Sequence, residues 1–277
     1  MKTIAICNQK GGIGKSTSCI SIASYLAIEG RKTLLIDLDP QSNATSGIGI
    51  DKHSVSSKTA SVYNVLHEQK TLEEITLKTQ VENLYIAPSS LDLTGAEIEL
   101  VNTMSREYRL KRAIEKIKHA YEFIIIDCPP SLGLLTINAL TATDSVLIPV
   151  QCEYYALEGL SQLMNTINLV RDNLNSNLRI EGVLLTMADF RTNLTKEVIE
   201  EVKKFFGDKV YKTIIPRSIK LTEAPGFGKP IMLYDKSSIG AEAYHKLTKE
   251  ILGVFTQPAV DKVVITMEER ENGEEIR

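Results

Sequence analysis

The segment Lys10-Gly11-Gly12-Ile13-Gly14-Lys15-Ser16-Thr17 restricts what this chain can fold into more than any other. It follows the apolar run Thr3–Cys7 and opens a helical pattern that continues to about Glu29. A strand, a glycine loop and a helix in that order make a cradle for phosphate. The glycines let backbone N–H groups turn inward with no Cβ in the way. The helix aims its N-terminal dipole at the same negative charge. Lys15 is placed to reach the β and γ phosphates of ATP, the Ser16 hydroxyl to ligate Mg2+, and Thr17 to contact the α phosphate. In the usual form of this loop a glycine stands five residues before Gly14. Gln9 occupies that position here, so the loop is a deviant one.

Such a loop needs carboxylates to hold magnesium and to orient water. Leu34-Leu35-Ile36-Asp37-Leu38-Asp39-Pro40 ends one predicted strand with two acids, and Pro40 stops the pairing. Phe123-Ile124-Ile125-Ile126-Asp127-Cys128-Pro129-Pro130 ends another with an acid and two prolines. Ligands of open α/β sheets sit beyond the carboxyl ends of the strands, so Asp39 and Asp127 are expected to converge on Ser16 and the metal. Asp127 reads as a metal-holding acid acting through water, and Asp39 as the group that positions or activates the attacking water.

The rest of the chain repeats this alternation. Further apolar runs are Leu84–Ala87, Ser145–Val150, Ile180–Thr186 and Lys209–Ile214. Several are rich in Ile and Val without polar alternation, as strands buried on both faces are. Between them, Leu160, Leu163, Met164, Ile167 and Val170 share one helical face, as do Leu194, Val198, Val202 and Phe205. The pattern predicts an α/β fold: a doubly wound, mostly parallel sheet with helices on both faces, in one domain over residues 1–253. Gly47–Thr59 reads as a surface loop. Residues 254–277 read as an acidic tail, frayed beyond a last strand at Val263–Thr266.

Composition narrows the setting. The chain has 277 residues and a formal net charge of -3, so any hold on nucleic acid must come from a local patch. Cys7, Cys19, Cys128 and Cys152 form no C-x-x-C pair, and Cys7 and Cys128 read as buried hydrophobes of a reducing compartment. The opening apolar run is too short for a signal peptide, and no run approaches the roughly 20 residues that span a bilayer. A cytoplasmic protein is expected. His53, His67, His119 and His245 show no metal spacing.

These motifs resemble the ParA/Soj chromosome- and plasmid-partitioning ATPases, within the wider deviant-Walker group that includes MinD. The resemblance is carried by Lys10 to Thr17, Asp37-Leu38-Asp39-Pro40-Gln41 and Asp127-Cys128-Pro129-Pro130. Two later stretches add to it: Leu184-Leu185-Thr186 with Arg191-Thr192-Asn193, and Ile215-Pro216-Arg217 with Leu221-Thr222-Glu223-Ala224-Pro225. It spans about Met1 to Gly253. It implies Mg2+-dependent ATP hydrolysis and a homodimer formed on ATP binding, with Lys10 reaching the partner subunit's phosphates. A second lysine five residues before Lys15 is also more charge than one triphosphate in a monomer needs. By the same resemblance Pro216 and Arg217 border the adenine, with Met187 beside them.

The resemblance further implies non-specific DNA and a ParB-like DNA-binding protein as partners, and a nucleoid-associated location. Thr186–Pro230 carries nine Lys or Arg against six Asp or Glu, a local excess of three positive charges. Arg191, Lys220, Lys246 and Lys249 fall where the family places its DNA contacts. Such residues grip phosphate and read no base. Iron-protein relatives need a cysteine pattern that is not found here. MinD relatives end in a basic amphipathic helix, whereas this end is acidic, so a membrane-positioning ATPase is the alternative and no membrane partner is expected. A helix-turn-helix repressor region is not expected, because the chain opens on the first strand. A biosynthetic P-loop enzyme would need a substrate pocket that these motifs do not supply.

Overall fold

A computed structural model describes residues 1–51, 55, 60–153 and 160–253. The expected acidic tail, and the strand within it, lie outside the described residues. Strands β1 (Lys2–Ile6), β2 (Thr33–Asp37), β3 (Leu77–Lys78), β4 (Leu84–Ala87), β5 (Phe123–Asp127), β6 (Ser145–Gln151) and β7 (Arg179–Thr186) form one sheet. Their order is β3-β4-β2-β5-β1-β6-β7, parallel throughout except for β3 against β4. The expected doubly wound, mostly parallel sheet is what the chain forms.

The continuous apolar runs explain this arrangement. Every residue of β2 and β5 is buried, which requires cover on both faces. Successive side chains alternate between the faces, so Ile124 and Ile126 enter one apolar layer while Phe123 and Ile125 enter the other. The first layer contains α3 (Val62–Leu66), α4 (Leu72–Ile75), α5 (Leu93–Glu99), α6 (Arg109–Ile117), α7 (Leu134–Ala142), α8 (Leu160–Asn173) and α9 (Asn193–Phe206). The second contains α1 (Lys15–Ile28), α2 (Asn43–Gly47), α10 (Ile219–Gly226), α11 (Ile231–Tyr234) and α12 (Ile239–Gly253). Tyr244 of α12 is buried against α1, where its hydroxyl meets that of Ser18 at 2.8 Å.

Three expectations need correction. Lys209–Ile214 is not a strand. Tyr211 N–H and Ile215 N–H do bond to Val183 and Leu185 carbonyls of β7. Between them, however, Lys212 and Thr213 N–H turn to the Glu250 carboxylate at 2.7 and 3.1 Å, so no continuous ladder forms. On α9 the buried stripe is Thr195, Val198, Val202 and Phe206, while Leu194 and Phe205 are exposed. Phe206 completes the four-residue step from Val202 inward, and Phe205 packs edge-on against it. Gly47–Thr59 does not begin as a surface loop, because Gly47 ends α2 and Ile48 is buried. A Cβ on Gly47 would stand 2.6 Å from Ile20 Cδ1, so a glycine here lets α2 lie against α1. Residues 52–54 and 56–59 of that stretch lie outside the described residues.

Candidate nucleotide site

Strand order reverses at β1, which lies between β5 and β6, and the carboxyl ends of the six parallel strands open on one edge. The glycine loop springs from the end of β1. Gly12 and Gly14 take left-handed φ of 73° and 89°, which a side chain would resist. Two outside groups shape the loop. Asn8 accepts the Lys10 N–H at 3.1 Å through Oδ1 and donates to the Pro149 carbonyl at 2.8 Å. Thr186, at the end of β7, donates its hydroxyl to the Ile13 carbonyl at 3.0 Å. A Cβ built on Gly11 or Gly12 meets nothing within 4 Å, so the space over the loop is open.

Lys15 is buried, and its ammonium donates to the loop's own Lys10 carbonyl at 2.9 Å. Burial lowers its pKa from the usual lysine value, and the charges of Asp127 and Asp39 pull it back. The charges of both acids thus reach Lys15, whereas the strand ends predict that they meet at Ser16 and the metal. β2 and β5 pair Asp37 directly with Asp127. Asp127 is fully buried. Burial and then the charge of Asp37 raise its pKa, and the side chains of Ser16 and Cys19 offset part of the rise. Its Oδ1 accepts the Cys19 thiol at 3.4 Å, whereas Oδ2 is buried with no hydrogen-bond partner. An orphaned carboxylate oxygen at a strand end fits a cation. Among the described residues no three His, Cys, Asp or Glu gather to hold a metal by themselves. A cation here would need phosphate oxygens beside Ser16 and Asp127, as magnesium commonly does.

Asp39 and Asp37 divide their work. Asp39 is buried at the mouth of the site. Its Oδ1 accepts the Gln41 N–H at 2.9 Å, and its pKa is raised by burial. Asp37 turns away and holds the following segment. Its Oδ2 accepts both the Thr45 N–H at 2.7 Å and the Thr45 hydroxyl at 2.6 Å. Ser89 completes the frame, donating its hydroxyl to the Asp39 carbonyl at 2.6 Å and its N–H to Thr45 Oγ1 at 3.0 Å.

The three residues expected near adenine come to the same rim. Met187, at φ 54°, places Cε 3.9 Å from the Cβ position of Gly14. Ala188 bridges Pro216, and Arg217 N–H bonds to the Ala188 carbonyl at 3.0 Å. Asn8, Thr45, Ser89 and Glu153 were not singled out from the sequence, and Asp37 and Thr186 stood in quoted motifs without a role of their own. Thr186 and Glu153 could have been flagged, since both stand at the carboxyl ends of strands.

A family model described as an AAA domain matches residues 1–180. The chain is 62% identical over 250 residues to the sporulation initiation inhibitor protein Soj of Bacillus subtilis (strain 168), covering 90% of this chain and 98% of that one. It is 51% identical over 251 residues to the chromosome partitioning protein ParA of Myxococcus xanthus (strain DK1622), covering 91% and 88%. The chain belongs to the ParA/Soj family of chromosome-partitioning ATPases. The ParA/Soj fold is shared by cobyrinic acid a,c-diamide synthase of Mycobacterium smegmatis, whose structure holds an ATP analogue and magnesium. That structure matches with a TM-score of 0.80 and 36% identity over 91% of this chain and 94% of the other.

The ParA/Soj positions expected to meet DNA lie apart from this cluster. Arg191 precedes α9 in the first layer, whereas Lys220 on α10 and Lys246 and Lys249 on α12 belong to the second. Arg191 is almost fully exposed but forks onto Asp189, with Nε and Nη2 donating to its two oxygens at 2.8 and 2.6 Å. That pairing holds the Asp189 carboxyl below the usual range. Lys220 pairs with Glu223 at 3.0 Å. Lys246 and Lys249 are exposed. No helix among the described residues is long and apolar enough to cross a membrane.

Proposed function

We propose that this chain is an ATP-driven dimerisation switch that grips DNA without reading its sequence and segregates chromosomal or plasmid DNA with a ParB-like partner. The observation that carries the reading is the meeting of the open glycine loop, buried Lys15 and the unpartnered Oδ2 of Asp127 at one strand edge.

The chain's own groups divide the task. Backbone N–H groups from Gly11 to Thr17 cradle the triphosphate, and Lys15 exchanges the Lys10 carbonyl for the β and γ phosphates. Ser16 and Asp127, with Asp39 near them, hold Mg2+. The bound metal neutralises charge that builds on the phosphate oxygens. Asp39 orients the attacking water. Met187, Pro216 and Arg217 border the base. Lys10 reaches the phosphates of a second subunit, so the dimer forms only around ATP. Each subunit then presents Arg191, Lys220, Lys246 and Lys249, and doubling weak phosphate contacts raises affinity through avidity.

A synthase that consumes ATP would need a substrate pocket beside the phosphate loop. A cleft of about 490 Å³ does exist, among α3, α4 and α6, but Glu68, Lys70, Arg109 and Arg112 line it and no residue of the phosphate loop does. The test is a gel shift on unrelated duplexes with ATP, ADP or no nucleotide. ATP-selective binding to every duplex supports the switch. Vesicle sedimentation in place of DNA binding would favour a MinD-like role.

A further inference from the structure

Glu153 lies just past β6, and its carboxylate is shared between two cations from distant segments. Oε1 accepts Arg217 Nη2 at 3.2 Å and Gln151 Nε2 at 2.6 Å. Oε2 stands 3.7 Å from Lys10 Nζ. The backbone of Lys10 is held as well, because its carbonyl accepts Lys15 Nζ at 2.9 Å. Lys10 is thus engaged at both its carbonyl and its ammonium within its own subunit.

We propose that Glu153 is a positioning residue that holds Lys10 and Arg217 over their own loop, so that Lys10 must leave Glu153 before it can serve a second subunit. This rests on the reading of Lys10 as the cation that crosses the dimer. Phosphate entering the loop draws Lys15 away from the Lys10 carbonyl, and the freed loop then re-aims Lys10. The occupied state of one site is so passed to the residue that reaches the other. The restraint is matched to that task. All three side chains are about half exposed, so solvent and salt weaken each pair. A triphosphate, with its larger charge, displaces such a restraint readily.

The test uses the full chain without nucleotide and measures acylation of the Lys10 amine by mass spectrometry. Glu153→Gln should acylate Lys10 about 3-fold faster than wild type at low salt, with the two rates converging in molar salt. With a non-hydrolysable ATP analogue, light scattering should show Glu153→Gln dimerising at about 3- to 10-fold lower nucleotide concentration. Glu153→Asp, which keeps the charge, should return both readouts toward wild type. Equal acylation of Lys10 in wild type and Glu153→Gln overturns the proposal, as does an unchanged or weakened nucleotide dependence of dimerisation in Glu153→Gln. A wild type that never dimerises refutes Lys10 as the crossing cation, and the acylation rates alone then decide whether Glu153 restrains it.

Discussion

Burial gives Lys15 its meaning. A lysine with so little exposure loses solvation, which two buried acids restore only in part, and its ammonium has a loop carbonyl as its hydrogen-bond acceptor. A triphosphate offers it far more. Lys15→Ala should therefore weaken ATP binding on the order of 100-fold or more, read by calorimetry. Unchanged affinity would remove the phosphate-loop assignment. Asp39 stands differently, since it touches the loop only through charge. Asp39→Ala should keep ATP affinity, lower turnover on the order of 100-fold, and accumulate as a dimer of doubled mass in light scattering with ATP. Normal turnover in a monomer would show that Asp39 does not handle the water. Arg191 forks onto Asp189 through Nε and Nη2, which leaves Nη1 to hold a phosphate. Arg191→Ala should leave ATP-driven dimerisation intact and flatten the salt slope of DNA binding by about one unit per subunit, hence about two per dimer. Loss confined to one duplex sequence would mean that a base is being read.

The strands were legible because their apolar runs are continuous and end in acids or prolines, and a parallel sheet buried on both faces leaves that trace. β3 was not, since Leu77 and Lys78 are both exposed and pair over only two residues. The apolar look of Lys209–Ile214 misled for a physical reason: Glu250, from α12, takes the N–H groups that a ladder would have used. The site divides the same way. The loop and its acids share short motifs, but the frame around Asp37 joins residues of three separate segments, and no local pattern announces it. Thr45→Val tests that frame. It removes a hydroxyl that donates to Asp37 and accepts from Ser89, leaving buried groups unsatisfied, so it should cost about 1–3 kcal/mol in denaturant unfolding. Gly182→Ala tests the packing of the segment along β7. Its Cβ would stand 2.5 Å from Tyr211 Cε2, and overpacking of that kind costs about 1–3 kcal/mol. Wild-type unfolding midpoints in either variant would refute the corresponding contact.

At the level of the assembled protein, the proposed switch depends on charge brought together by pairing subunits. The net charge of -3 gives a lone chain little pull on DNA, and the candidate contacts are split between the two helical layers. Two of the four are also occupied by acids of their own subunit. Affinity should then appear only when a dimer presents every contact twice. The most direct measurement is fluorescence anisotropy of two unrelated labelled duplexes titrated with wild-type protein in ATP, in ADP and without nucleotide. The account predicts binding to both duplexes in ATP, with similar affinity and a steep dependence on salt, and little in the other two conditions. Equal binding in all three, or none in ATP, would contradict it.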